Sequence, residues 1–248
     1  MTALSVDAHG IASAGVYPSG KHGRLSGEKR TWEWVYGKGH TVSSVLETEP
    51  LLLASSGPFC QQVLAAAGFG VEPVNPPICE PATIAYQVGP IQGAEALAYF
   101  RARLAAERTN AECVLAVETL VAVGGKVFGR PPGRLEAAEM LRCLSGTRHA
   151  VITGVALLMP GVRLIASAVT YVTMAPMSET DIADYLASGK WLGIPGAYAT
   201  PEMAERFVTK LEGSFSNVMG LPVELVDRMI AEVQEHPESH RFAVPQGS

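Results

Sequence analysis

Glu118 follows the apolar run Val114-Leu115-Ala116-Val117, a place from which a strand can deliver a carboxylate into a cleft. Such a carboxylate binds a hard cation and activates water, or else it faces solvent as an ordinary strand-end glutamate. Ser55 stands before Ser56-Gly57 and Pro58, a turn leading into a helix start. The free N–H groups and positive dipole end of a helix N-terminus suit a phosphate. Glu80 reads equally as a solvated loop residue or as a metal ligand. Other chemistries are poorly served: no G-x-S-x-G elbow occurs, and Gly124-Gly125-Lys126 lacks the rest of a phosphate-binding loop. His149 opens a strand, where a lone histidine is more often structural or exposed than catalytic. His236 and His240 have helical metal-pair spacing, but Pro237 between them breaks that helix.

The elements that must position these residues alternate between strand and helix, which predicts an α/β fold. Leu51 to Ala54 is a short buried-strand run, and Pro58 begins a helix expected to end near Gly68. Leu97, Phe100 and Leu104 share helical spacing within residues 94–107, and Val114 to Val123 is an apolar strand with Gly124-Gly125 as its hairpin turn. Pro131-Pro132-Gly133 precedes a helix with Ala138, Leu141 and Leu144 on one face and Gly146 at its C-cap. Val151 to Leu158 and Leu164 to Met174, separated by Pro160-Gly161, predict an antiparallel pair. Ser178 with Asp181 forms a capping box for a helix that turns Ile182, Tyr185 and Leu186 inward and ends at Gly189. Pro222 occupies the first turn of a last helix that runs through Val233.

Composition narrows the function classes. The 248 residues are 48% hydrophobic and 17% charged, the balance of a globular protein. A formal net charge of -5 with interleaved signs gives no electropositive surface for nucleic acid. The longest apolar runs stop well short of the roughly 20 residues of a membrane span, and no export signal is evident, so cytoplasmic residence is expected. Cys60, Cys79, Cys113 and Cys143 form no C-x-x-C pair and signal neither a zinc site nor a disulfide framework. Residues 1–48, rich in Gly, Ser and Lys, read as a partly disordered extension, although Trp32 to Tyr36 has the character of a strand. Residues 49–235 form the domain, and residues 236–248 form a polar tail.

Six phrases in order carry a resemblance: LLLASSGP (51–58), AVETLVAVGGKVFGRP (116–131), EMLRCLSGTRHAVITGV (139–155), PMSETDIADYLASG (176–189), PGAY (195–198) and EGSFSNVMGLP (212–222). Together they resemble the Maf family of nucleoside-triphosphate pyrophosphatases over residues 51 to about 233. The resemblance implies a Maf-like (inosine-triphosphatase-like) fold, with an elongated central mixed sheet flanked by helices and a cleft between two lobes, usually in a homodimer. The implied reaction is hydrolysis of a nucleoside triphosphate, often a pyrimidine or modified one, to monophosphate and pyrophosphate with a divalent cation, Mg²⁺ or Mn²⁺. A link to septum formation and arrest of cell division is implied as well.

By the same resemblance Glu118 takes the place of the family's catalytic Asp, and Glu80 aligns with the last acid of its acidic stretch. Arg101 and Arg130 stand where the family has phosphate-binding lysines. Thr119 after the acid resembles the branch acting on thymidine and uridine triphosphates. The chain also departs from the pattern. Two arginines of the first turn are Phe59 and Cys60 here, with Phe59 expected to pack in the core rather than stack on a base; Pro77 and Cys79 replace acids; Ile194 replaces a lysine and Pro201 a glutamine. Losing two charged hydrogen bonds, at about 1.5 to 3 kcal/mol each, weakens triphosphate binding by orders of magnitude. These departures keep an alternative open, a catalytically weak or inactive nucleotide-binding or regulatory protein linked to cell division.

Overall fold

Strand β3 (Val114–Val123) is apolar at nearly every position, as expected of a strand covered on both faces, and the fold is built outward from it. The computed structural model describes residues 51–55, 57, 59, 60, 64, 71–74, 87–109, 111–198 and 201–235. All of them fall in one unit, Val35–Ser248. The N-terminal extension, Glu80, most of the helix expected after Pro58 and the polar tail lie outside the described residues; Cys60 and Leu64 of that helix are described and are helical.

Beside β3 run β1 (Leu51–Ala54) and β2 (Val71–Val74), both parallel, giving the order β2-β1-β3. On the other side the order continues β5 (Arg148–Met159), β6 (Val162–Met174) and β7 (Val208–Glu212), all antiparallel. β4 (Lys126–Phe128) folds back on the end of β3 through Gly124-Gly125, both with positive φ, as a two-residue hairpin requires. The sheet is therefore mixed, as the fold class predicts.

Strand alternation divides the core. Ala116 and Leu120 face helix α1 (Pro90–Thr109). Leu115, Val117 and Val121 face the opposite side. There, α2 (Arg134–Leu144) and α3 (Glu179–Ala187) cover one end of the sheet and α6 (Val223–Glu235) covers the other. The capping box of α3 is present, with Ser178 Oγ accepting from the Asp181 amide at 3.1 Å and Asp181 Oδ2 accepting from the Ser178 amide at 2.9 Å. Between α3 and α6 come α4 (Pro201–Phe207) and α5 (Phe215–Val218). Among the described residues no helix is long and apolar enough to cross a membrane.

Several boundaries differ from the sequence-based expectation. Helix α1 starts at Pro90 rather than 94, because the carbonyl of Gly89 already accepts the Gly93 amide and Pro90 fits a first helical position. Pro222 lies just ahead of α6 and caps it through its carbonyl, which accepts from Leu225 and Val226. The short edge strands β2 and β7, and helices α4 and α5, are additional to the elements read from periodicity.

One close approach sets the position of α1. Its buried face is Gly93, Ala94, Leu97, Ala98, Arg101, Ala102 and Ala105, mostly small, and it rests on Gly154 of β5, the cross-strand partner of Glu118. A methyl group at Gly154 would overlap the backbone of Ala94 and Glu95. Because backbone cannot yield as a side-chain tip can, Gly154→Ala is expected to destabilise the fold by about 2–3 kcal/mol, lowering Tm by roughly 4–10 °C in thermal denaturation.

Candidate active site

Glu118 lies in the middle of β3, with 0% of its surface exposed, so the solvent-facing strand end considered from sequence is excluded. A buried carboxylate persists as an ion only when paired and hydrogen-bonded. Both oxygens are so held. Arg101 Nη2 donates to Oε2 at 2.5 Å, and Arg130 Nη1 donates to Oε1 at 3.0 Å. Arg101 is thus a buried partner from α1 rather than part of a solvated helix face. Arg103, two residues on, is the exposed one and pairs with Glu107. The two guanidiniums differ in access, with side-chain exposures of 4% for Arg101 and 20% for Arg130.

Arg130 sits on the loop after β4 and also ties down its neighbour. Its Nε donates to the Gly193 carbonyl at 3.1 Å, and the Gly196 amide donates to the Gly129 carbonyl at 2.9 Å. Gly196 and Ala197 both have a φ of +64°. A side chain at Gly196 would meet Val121 Cγ2 at 2.9 Å, so glycine is needed there for conformation and for space. Ala197 accepts a left-handed backbone at a strain of about 1–2 kcal/mol, held by this cross-linked loop.

A pocket opens on the face of β3 that carries Val117 and Thr119, between the two hydrophobic clusters. Its lining is drawn from the first turn (Ser55, Gly57, Phe59 and Cys60), from Arg130 with Ile194 and Pro195, and from Val218 to Gly220. Ser55 Oγ accepts the Gly57 amide at 3.1 Å and shapes the turn. Phe59 packs against the larger cluster, as expected, and also lines the pocket. Cys60 Sγ donates to the Gly220 carbonyl at 3.3 Å, and burial pushes its thiol pKa up, so it remains a neutral wall group. Thr119 and Thr153 share a buried hydroxyl pair at 2.9 Å.

The structure therefore brings together Glu118, Arg101 and Arg130, and places Ser55 with Arg130 in the lining of one pocket. Glu80 lies outside the described residues. Among those described, no group of three His, Cys, Asp or Glu side chains is placed to hold a metal. Glu118 is the one carboxylate at the centre of the triad, and both of its oxygens already accept guanidinium N–H bonds. As arranged, this donor set does not fit a hard divalent cation, which takes several free oxygen ligands.

His149, and Asn217 within the phrase at 212–222, prove architectural. Asn217 is buried and donates to the Val151 carbonyl at 3.1 Å and to Thr170 Oγ1 at 3.0 Å, fastening α5 to the sheet. His149 is buried against Tyr198, with Nε2 and the phenol oxygen 2.7 Å apart and the rings edge to face. Thr153 and Gly154, within the phrase at 139–155, and the Gly193 carbonyl are not singled out by residue type; cross-strand register and loop contact reveal their part in the site.

Removing one arginine leaves buried charge unmatched. Arg101→Met is expected to cost about 3 kcal/mol, and Arg101→Met with Glu118→Leu to recover most of it, measured by chemical denaturation. Burial lowers the His149 pKa from 6.5 to about 4. The unfolded chain therefore binds the extra proton first as pH falls. Stability from the neutral ring is fully present above about pH 6.5 and is lost progressively toward pH 4, by about 3 kcal/mol in all. Unfolding free energies across that range are expected to show this slope in the native protein and to lack it in His149→Gln.

Residues 50–233 match the family model described as Maf-like protein. A dTTP/UTP pyrophosphatase of Koribacter versatilis is 37% identical over 182 residues, covering 73% of this chain and 92% of that protein. Proteins of the same name from Salinibacter ruber, 38% identical over 185 residues (73% and 89% covered), and Symbiobacterium thermophilum, 35% identical over 184 residues (74% and 94% covered), are also similar. The ordered motifs, the mixed sheet and a match across most of its length together place this chain in the Maf-like protein family.

Proposed function

We propose that this protein is a nucleoside-triphosphate pyrophosphatase, a hydrolase of acid anhydrides that takes pyrimidine triphosphates such as dTTP and UTP. The observation that carries the reading is the buried Glu118 held between Arg101 and Arg130, of which Arg130 also lines a pocket, in a chain similar to proteins named dTTP/UTP pyrophosphatase. Two cations against one anion leave a net positive charge where a polyanion must dock. Arg130, which lines the pocket, offers forked donors to phosphate oxygens, and Ser55 and Gly57 line the same pocket. Glu118 accepts a proton from water as the water oxygen attacks the α-phosphorus. The bond from that phosphorus to the bridging oxygen breaks, and pyrophosphate leaves. Thr119 projects from the pocket floor, where it meets the base or sugar.

The same enclosure of Glu118 favours a second reading, a nucleotide-binding or regulatory protein without turnover. Pyrophosphate release measured over dTTP, UTP, CTP, dGTP and ATP, with Mg²⁺, Mn²⁺ or chelator, separates the two. The hydrolase reading expects dTTP and UTP to lead, and Glu118→Gln to lower kcat by about 100-fold or more. Silence toward every triphosphate from folded protein refutes it.

A further inference from the structure

Among the described residues, one side chain both lines the pocket and bonds Glu118. Alternation along β3 puts Val117 and Thr119 on the pocket face and Glu118 on the α1 face, so the carboxylate lies behind the sheet as seen from the pocket. On one edge of β3, pairing with β1 ends at Ala116 and pairing with β4 begins at Val121. No described strand covers that edge between them. Arg130 links the pocket to this stretch of β3, since it both lines the pocket and bonds Glu118 Oε1. Arg101 approaches from the opposite side, more deeply buried, and does not line the pocket.

We propose that Arg130 is a latch on Glu118, released by the anionic phosphates of an incoming nucleotide. Phosphate entering the pocket meets Arg130 first and competes with a carboxylate oxygen for its forked donors. When the guanidinium turns to phosphate, Oε1 is uncovered while Arg101 still holds Oε2, so the base becomes available only in the occupied site. The same movement gives up the Arg130 bond to the Gly193 carbonyl and loosens the loop that brings Ile194 and Pro195 to the pocket lining. Linkage is reciprocal, so the latch also lowers nucleotide affinity by the work of breaking it. The inference rests on the proposed reading for its ligand but not on turnover.

The test is calorimetric binding of a non-hydrolysable α,β-methylene analogue of dTTP in chelator. Glu118→Asp keeps the buried negative charge between the two guanidiniums, which protects folding, but draws the carboxylate back by about an ångström where such contacts tolerate roughly half that. If the latch exists, Glu118→Asp binds the analogue about tenfold more tightly than the native protein, the scale of one weakened charged hydrogen bond. In an Arg130→Gln background the same substitution gives no gain. Equal or weaker binding by Glu118→Asp, no measurable binding by either protein, or an equal gain without Arg130 overturns the latch. The two readings fail separately: a gain in affinity with no pyrophosphate release keeps the latch and removes the hydrolase, and turnover of dTTP without the gain does the reverse.

Discussion

A carboxylate enclosed at the centre of a sheet has to be matched by positive charge, and that requirement organises this protein. Transfer of an unpaired ion into the interior costs far more than a domain's whole stability margin. Glu118 is tolerated because two chain segments distant in sequence bring guanidiniums to its two oxygens. Each supplying segment is in turn held by a close approach that a larger residue would forbid. Helix α1 comes near enough for Arg101 because Gly154 and the small residues of α1 let backbone meet backbone. The loop carrying Arg130 is held because Gly196 fits against Val121 and bonds Gly129.

The two faces of β3 divide the labour between charge and ligand. Behind the sheet, α1 seals Glu118 from water. In front, two hydrophobic clusters leave a pocket between them. Among the described residues, Arg130 connects the two, lining the pocket and bonding Glu118 beside an interrupted sheet edge. The low dielectric around Glu118 strengthens its ion pairs.

The departures from the family pattern acquire a physical sense in this setting. Arginine at 101 and 130, where the resemblance implies lysine, offers a planar fork that can hold a carboxylate oxygen and a carbonyl at once, as Arg130 does with Glu118 and Gly193. Glutamate in place of aspartate carries the carboxylate further from the strand, toward both guanidiniums. Phe59 and Cys60, standing where arginines are expected, form apolar wall and core, so positive charge at the pocket is concentrated on Arg130. Ile194 adds apolar wall beside it.

By itself the sequence determined the ancestry, the α/β class and most of the elements, since these rest on local signals: the apolar run of β3, paired glycines at 124 and 125, the capping box at Ser178, and motifs in fixed order. It also singled out Glu118, Arg101 and Arg130 as residue types suited to phosphate chemistry, through resemblance. It left open whether Glu118 and Arg101 face solvent, because burial depends on what packs against a strand or helix, and that is not written in either segment. Edge strands β2 and β7 escaped notice because short, half-polar runs carry little periodic signal. Tertiary structure alone decided that Gly154 lies opposite Glu118, that Arg130 reaches both Glu118 and Gly193, and that His149 meets Tyr198, for these are contacts between residues from 12 to 63 positions apart. Register and chain crossing bring such groups together, and neither is fixed until the sheet has formed.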